Sequence, residues 1–367
     1  MSPVYKTRPD YVLLFIVAAL LSIGLLMVFS ASPTMAMRLG DNYFYLKRHV
    51  LSLAVGLLAL YAGFKIDLNF LGKWSTYIIT AAIVLLVIVF IPGIGVGISG
   101  ARRWIYLGFL SFQPGEIAKF ALIIYLAKEL SSRSLSSAAL GTLGASALTA
   151  LLIIKEPDLG TSIIIGVIAF SLFYLGGARI RNMLYVLAAS FAGLIAISIT
   201  SPYRMRRLIA YINPWSDPRG VGFHIIQSLI AVGSGGLFGL GLGGSKQKFF
   251  YLPQNYTDFI FAIFCEEMGL IGAMGVVLLF ILFIGRGYRI ARNAQDSFSM
   301  LLAGGIVSWI GFQAFLNMSV VVGIAPTTGI PLPFISYGGT SIVTALFAVG
   351  ILLNISQFRV AQERNMS

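Results

Sequence analysis

The chain has 367 residues, of which 58% are hydrophobic and only 11% charged, against about a quarter charged in a soluble domain. A soluble globular protein is excluded. The net charge of +13 would ordinarily suggest a nucleic-acid partner, but the bases lie in short segments between apolar runs, where membrane insertion accounts for them and no nucleic acid is needed. A single cysteine, Cys265, and two histidines, His49 and His224, leave no basis for a disulfide framework or a structural zinc site.

Apolar runs of roughly 20 residues read as membrane-spanning helices. In chain order they predict ten spans at about 11–31, 49–64, 74–92, 113–130, 134–154, 159–177, 182–201, 258–284, 299–322 and 338–357. The first follows Lys6 and Arg8 and reads as an uncleaved span rather than a signal peptide, because the small residues Ser30-Ala31-Ser32 abut Pro33. Residues 297–358 carry no charge, yet Pro326, Pro331 and Pro333 divide them into two helices. The predicted fold is an all-α polytopic membrane protein of one domain, residues 1–367, with a long structured extracellular loop between the seventh and eighth spans.

An even number of spans puts both termini on one side. The Lys and Arg totals on the two sides are nearly equal, but half of the outer bases fall in one long segment, 202–257, which the positive-inside rule discounts. Both termini are therefore expected in the cytoplasm.

The fourth span opens with Gln113-Pro114-Gly115-Glu116, and Glu116 and Lys119 share one helix face. A lone charge at the bilayer centre costs about 3 kcal/mol, so the pair either neutralises itself or faces a polar cavity, with Lys119 open to an anion. Glu156 and Asp158 lie in an outer turn, Glu156-Pro157-Asp158-Leu159-Gly160-Thr161. Asp158 reads as the cap of the next helix; the alternative is a metal site completed by phosphate and water.

Segment 202–257 is too long for a simple connection. Phe223 to Ile230 reads as an amphipathic or membrane-surface helix, followed by glycine-rich sequence from Gly233 to Gly244. Gly239-Leu240-Gly241-Leu242-Gly243-Gly244 matches a dinucleotide fingerprint in letters only, since no βαβ unit surrounds it. It is a loop of close helix contacts or, with Lys246 and Lys248 following, a backbone cradle for phosphate; spacing favours the first.

Asp258 starts the eighth span, where Thr257 or Asp258 would make a good N-cap. A capping carboxylate has a lowered pKa, which weakens it as a base. Glu266 lies about 12 Å further along a helix and is turned about 80° from Asp258, so no glycosidase-like carboxylate pair forms. Glu266 and Glu267 read as structural or as a polar seam. The triplets Asn255-Tyr256-Thr257 and Asn317-Met318-Ser319 are discounted as glycosylation sites, the second lying within the membrane.

Together, Gln113-Pro114-Gly115-Glu116 with Lys119, EPDLGT at 156–161, the stretch 222–253, TDFIF at 257–261, Glu266-Glu267 and PTTGIPLPFISYGGTS at 326–341 resemble the SEDS family, which includes FtsW, RodA and SpoVE. The likeness runs the length of the chain, and the stretch from Asn213 to Pro253 is nearer to FtsW and SpoVE. The resemblance implies a ten-span peptidoglycan glycosyltransferase of the bacterial cytoplasmic membrane. Such an enzyme polymerises lipid II at the outer face, in division or cell-shape maintenance, beside a class B penicillin-binding protein and other divisome or elongasome proteins.

It places the family's essential aspartate on Asp258 and its buried ion pair on Glu116 and Lys119, and makes Arg48, Lys246, Lys248 and Ser336 further candidates for substrate contact. Asp258 is then the general base, with nearby cations or a divalent metal, Mg or Mn, stabilising the departing diphosphate. The chain departs from the pattern at Gln254, Tyr256 and Gly115, where Glu, His and Ser are common. A lipid II flippase and a non-catalytic division scaffold are the alternatives.

Overall fold

The computed structural model describes residues 4–6, 8–33, 40–98, 101–107, 110–199, 202–249 and 256–360. Gln254, most of the stretch before Asp258 and the side chain of Arg204 lie outside the described residues. Every expected span falls on a helix. In chain order these are α1 (Tyr11–Ala31), α2 (Phe44–Lys65), the short α3 (Leu68–Lys73), α4 (Ser75–Ile88), α5 (Pro114–Ser132), α6 (Leu135–Lys155), α7 (Leu159–Leu175) and α8 (Ile180–Ile199). There follow α9 (Pro202–Ile212), α10 (Phe223–Ser234), α11 (Ile260–Arg292), α12 (Ser297–Val321) and α13 (Gly339–Ser356). Among the described residues, α1, α2, α6, α11, α12 and α13 are long and apolar enough to cross a membrane, with α4, α7 and α10 as shorter apolar helices. The protein is an all-α multi-span membrane protein.

Two small sheets were not expected. Strands β2 (Gly95–Ile98), β3 (Ala101–Leu107) and β4 (Leu110–Phe112) form an antiparallel ribbon between α4 and α5, in the connection between the expected spans 74–92 and 113–130. Near the chain ends, β1 (Val4–Lys6) pairs antiparallel with β5 (Phe358–Val360). Asp10 ties the same corner together: it caps α1 by accepting from Leu13 N at 3.0 Å, pairs with Arg286 of α11 at 2.7 Å, and donates its own N–H to Ser356. The start of α1 and the ends of α11 and α13 therefore meet at one end of the bundle.

Helices α12 and α5 are buried at the centre, whereas α2 shows most of its surface outward. Helix α2 packs closely along α13 because glycine faces backbone at the contact. A Cβ on Gly63 would lie 2.4 Å from the Phe347 carbonyl, and one on Gly350 would lie 2.1 Å from the Leu60 carbonyl, so small residues let the two backbones approach.

Helix α11 is broken within its length, at Gly269 (φ 66°, ψ −169°). The glycine-rich loop fills the break. Leu240 N and Gly241 N donate to the carbonyls of Glu266 and Glu267 at 3.0 Å each, and Leu270 N and Ile271 N donate to Gly236 and Leu237 at 2.9 and 3.2 Å. Non-helical backbone at membrane depth is stable only with such protein partners.

Candidate active site

Asp258 lines a cavity of about 430 Å³ at the end of the bundle opposite the paired termini. Arg206 and Arg207 of α9, His224 of α10, and the loop between α12 and α13 line it too. Arg207 is fixed by donation to the Thr327 carbonyl at 3.4 Å. The His224 ring stacks on Phe259 at 5.9 Å, and Ser228 donates to the Val321 carbonyl at 2.8 Å, which docks α10 on the end of α12.

The expected capping role of Asp258 is not found. Phe259 is the N-cap residue of α11 and no side chain caps that end. Burial pushes the Asp258 carboxyl up to about 6, with the Asp158 charge adding and Arg103 and Arg207 opposing. The lowered pKa that would have weakened it as a base is replaced by a raised one.

The backbone around Asp258 is held from three sides. Asn317 Nδ2 donates to the carbonyls of Asp258 and Ile330, both at 2.8 Å. Ser336 Oγ donates to the Thr257 carbonyl at 2.7 Å and accepts from Leu332 N at 2.8 Å. Tyr337 N donates to the Tyr256 carbonyl at 2.9 Å. Ser336 is thus buried and joins two loops, a positioning role in the residues that flank Asp258.

Glu116 and Lys119 form a 2.7 Å ion pair with no exposure at the ammonium. Lys119 also donates to Gln313 Oε1 at 2.7 Å, and Gln313 Nε2 donates to the Pro331 carbonyl at 3.0 Å. The pair is not open to an anion, which corrects the expectation of substrate contact. Together with Trp309 Nε1, which donates to the same Gln313 oxygen at 2.8 Å, it holds Gln313, one helical turn from Asn317 on α12, and so reaches the Asp258 loop through the protein.

Asp158 caps α7, accepting from Thr161 N at 3.1 Å and Thr161 Oγ1 at 3.0 Å, with Arg103 at 3.8 Å. Arg103 also donates to the carbonyls of Glu156 and Pro157. Burial and the Asp158 charge push Glu156 up to about 8 against the pull of Arg103. Among the described residues no three His, Cys, Asp or Glu side chains gather to hold a metal ion. With both Asp158 oxygens bonded to Thr161, this turn does not fit a metal cage.

The glycine-rich loop does enclose an anion, but the anion is the protein's own. Lys246 N and Gln247 N donate to the Glu266 carboxylate at 3.0 and 3.4 Å, joined by Ser245 Oγ. Glu267 accepts from Ser30 Oγ at 2.7 Å and pairs with buried Lys248 at 3.1 Å. The reading of close helix contacts, favoured by spacing, fits this packing, and Lys248 is a buried ion-pair partner of Glu267. Lys246 is exposed and outside the Asp258 cavity. Arg48 is exposed at the start of α2, 4.6 Å over the Phe44 ring and beside Tyr337, in a corner with Tyr45 and Tyr256.

The sequence reading counted Arg206 and Arg207 only among the bases of segment 202–257, whose concentration beside Asp258 suits an anionic lipid diphosphate, and it missed Gln313 and Asn317 as site residues. Two signals were present: adjacent arginines in an amphipathic segment, and two amides four residues apart on one face of a charge-free helix.

Residues 11–361 match the family of cell cycle proteins FtsW, RodA and SpoVE. Stage V sporulation protein E of Bacillus subtilis is 44% identical over 359 residues, covering 96% of this chain and 98% of that one. A probable peptidoglycan glycosyltransferase FtsW of Geobacter metallireducens is 41% identical, covering 95% of each chain. Among solved structures, a chain of a peptidoglycan synthase complex that coordinates polymerization and crosslinking superposes with a TM-score of 0.79 at 31% identity, covering 95% of this chain and 97% of that one. The rod shape determining protein RodA of Thermus thermophilus superposes with a TM-score of 0.71 at 28% identity, covering 95% of this chain and 96% of that one. The chain belongs to the SEDS family of FtsW, RodA and SpoVE.

Proposed function

We propose that this chain is a peptidoglycan glycosyltransferase that joins lipid II units into β-1,4 glycan at the outer face of the cytoplasmic membrane. The observation that carries the reading is Asp258, raised to about 6, lining one cavity with Arg206 and Arg207. A base with a pKa near the working pH is the most effective proton acceptor. Asp258 takes the proton from the acceptor 4-hydroxyl as its oxygen bonds to the donor anomeric carbon. The bond from that carbon to the diphosphate oxygen breaks, its electron pair leaves on undecaprenyl diphosphate, and the α linkage becomes β.

The leaving group is a stable anion, so it needs cations rather than a protonating acid. Arg206 and Arg207 supply them, and a guanidinium suits phosphate geometry. A divalent cation, Mg or Mn, would take most of its oxygens from the substrate diphosphate, since the described residues offer too few carboxylates for a protein cage.

Ten membrane crossings follow if α4, α5, α7 and α8 also span. Both termini then lie in the cytoplasm, consistent with the β1–β5 pairing at the end remote from Asp258. The solved relative from a peptidoglycan synthase complex supports a transpeptidase partner, a class B penicillin-binding protein, within the divisome or elongasome.

The broken helix α11 favours a second reading, a lipid II flippase, because transporters use interrupted helices. Purified protein given labelled lipid II and its partner in detergent, where transport has no meaning, separates the two. Glycan polymer supports the transferase; its absence, with transbilayer movement of lipid II in vesicles, supports the flippase.

A further inference from the structure

A second cavity, of about 520 Å³, lies at the other end of the bundle. Three helices run between the two sites. Lys65 ends α2, which carries Arg48 near its start; Asn354 lies in the last turn of α13, which follows Ser336; and Asp296 caps α12, whose other end carries Asn317. The volume falls in the small-ligand range of about 300–1,000 Å³, and the lining is polar: Lys65, Lys128, Asp67, Asp296, Asn354 and Gln357 contribute.

Opposite charges line the cavity, yet they do not pair. Among the described residues neither Lys65 nor Lys128 has an ion-pair partner, and Lys65 rests over the rings of Tyr61 and Phe64 at 5.8 and 5.6 Å. The carboxylates are turned to backbone. Asp67 accepts from Asn69 N at 2.9 Å, and Asp296 accepts from Ser299 N and Oγ at 2.9 Å each. Two unpaired ammonium groups can take a phosphate. Carboxylates with spare lone pairs suit hydroxyl donors such as those of a polyol.

An exposed aromatic cluster starts at Phe70, which lies in sequence between the lining residues Asn69 and Gly72. Phe70, Trp74 and Tyr77 are all exposed and succeed one another on α3 and α4, with ring centroids 5.9 and 5.2 Å apart. Such aromatic groups mark the headgroup level of a bilayer, and basic pockets between helices at that level recognise anionic headgroups.

We propose that this cavity binds the headgroup of an anionic phospholipid, with its phosphate on Lys65 and Lys128 and its hydroxyls on Asp67 and Asp296. Phosphatidylglycerol has this chemistry, one phosphodiester charge and a polyol head. Its acyl chains lie against Phe70 and Trp74. Binding here does not depend on the chemistry at Asp258.

The test uses the full-length protein, stripped of lipid in neutral detergent and titrated with phosphatidylglycerol or phosphatidylcholine under native mass spectrometry. One phosphatidylglycerol is expected to bind in clear preference to phosphatidylcholine. Lys65→Ala with Lys128→Ala should weaken it roughly thirtyfold, whereas Lys65→Arg with Lys128→Arg should keep it. Size-exclusion profiles report that the variants are folded, and the exposed single change Lys65→Ala provides an independent reading. Equal binding of the two lipids, or unchanged binding in the alanine variants, would overturn the proposal. Displacement by inorganic phosphate would also overturn it, by assigning the cavity to a soluble anion.

Discussion

The side-chain amide of Asn317 stands 2.8 Å from the backbone carbonyl of Asp258 and donates to it, so the proposed base is held from behind by a neutral group of another helix. The same nitrogen reaches the Ile330 carbonyl. One residue therefore fixes the distance between the two loops that flank the carboxylate. Replacing Asn317 by Ala should lower polymerisation roughly tenfold to a hundredfold while the protein folds, because small misplacements of a reacting group are costly. A steady-state assay with labelled lipid II, beside a thermal melt, checks this; loss of fold in step with activity would make Asn317 merely structural.

The Glu116–Lys119 pair is expected to act on folding first and on activity second. Lys119→Ala leaves a buried carboxylate without its partner, a loss of about 3–5 kcal/mol for a broken buried pair, and folded yield in detergent should fall. Glu116→Gln with Lys119→Met removes both charges at similar volume and should recover the yield. It should not recover full activity, since Gln313 loses the ammonium that orients it toward Pro331. Wild-type activity in the double variant would remove the relay from the account.

Arg207 is expected to govern substrate affinity. Arg207→Ala should raise KM for lipid II about tenfold or more with a smaller change in kcat, as loss of a charge-assisted phosphate contact does. The wild-type enzyme should lose affinity as salt is raised, and the variant less so. An unchanged KM would place the diphosphate elsewhere.

Glu156 offers a test on stability. Its carboxyl is raised from 4.5 to about 8 by burial, so the folded protein holds the proton more tightly than the unfolded chain does. The resulting stability is complete below the unfolded pKa and is lost as pH rises through the folded one. Glu156→Gln mimics the protonated form, so its melting temperature should match the wild type near pH 5 and exceed it by about several degrees at pH 8. Equal melting curves at both pH values would show that Glu156 is ionised in the fold.

All ten apolar runs were legible as helices because length and the absence of charge carry that signal locally. The ribbon at 95–112 was not legible, since Gly95-Val96-Gly97-Ile98 continues an apolar run and only pairing with Trp104 and Ile105 makes it a strand. The break at Gly269 was equally hidden: a glycine in a span is ordinary, and the bonds that stabilise the break come from residues about thirty positions earlier. At the site, the Glu116–Lys119 pair stood out because charge in a membrane is rare, whereas spacing made Asp258 a helix cap and only the family resemblance made it a candidate base. Their surroundings were not legible. Whether Lys248 met substrate or Glu267, and whether Asp258 capped a helix or faced a cavity, depended on contacts between distant segments. The pKa of Asp258 came out opposite to the capping expectation for that reason.

If Asp258 accepts the proton of the attacking hydroxyl, lipid II polymerisation must follow the titration of this carboxyl as pH changes. With the carboxyl near 6, kcat/KM for the wild type should climb about tenfold per pH unit below that value and level off above it, while Asp258→Asn, folded by the same thermal melt, should make no glycan at any pH. Polymer from the Asn variant at a wild-type rate, or the same rising limb in its profile, would contradict the assignment.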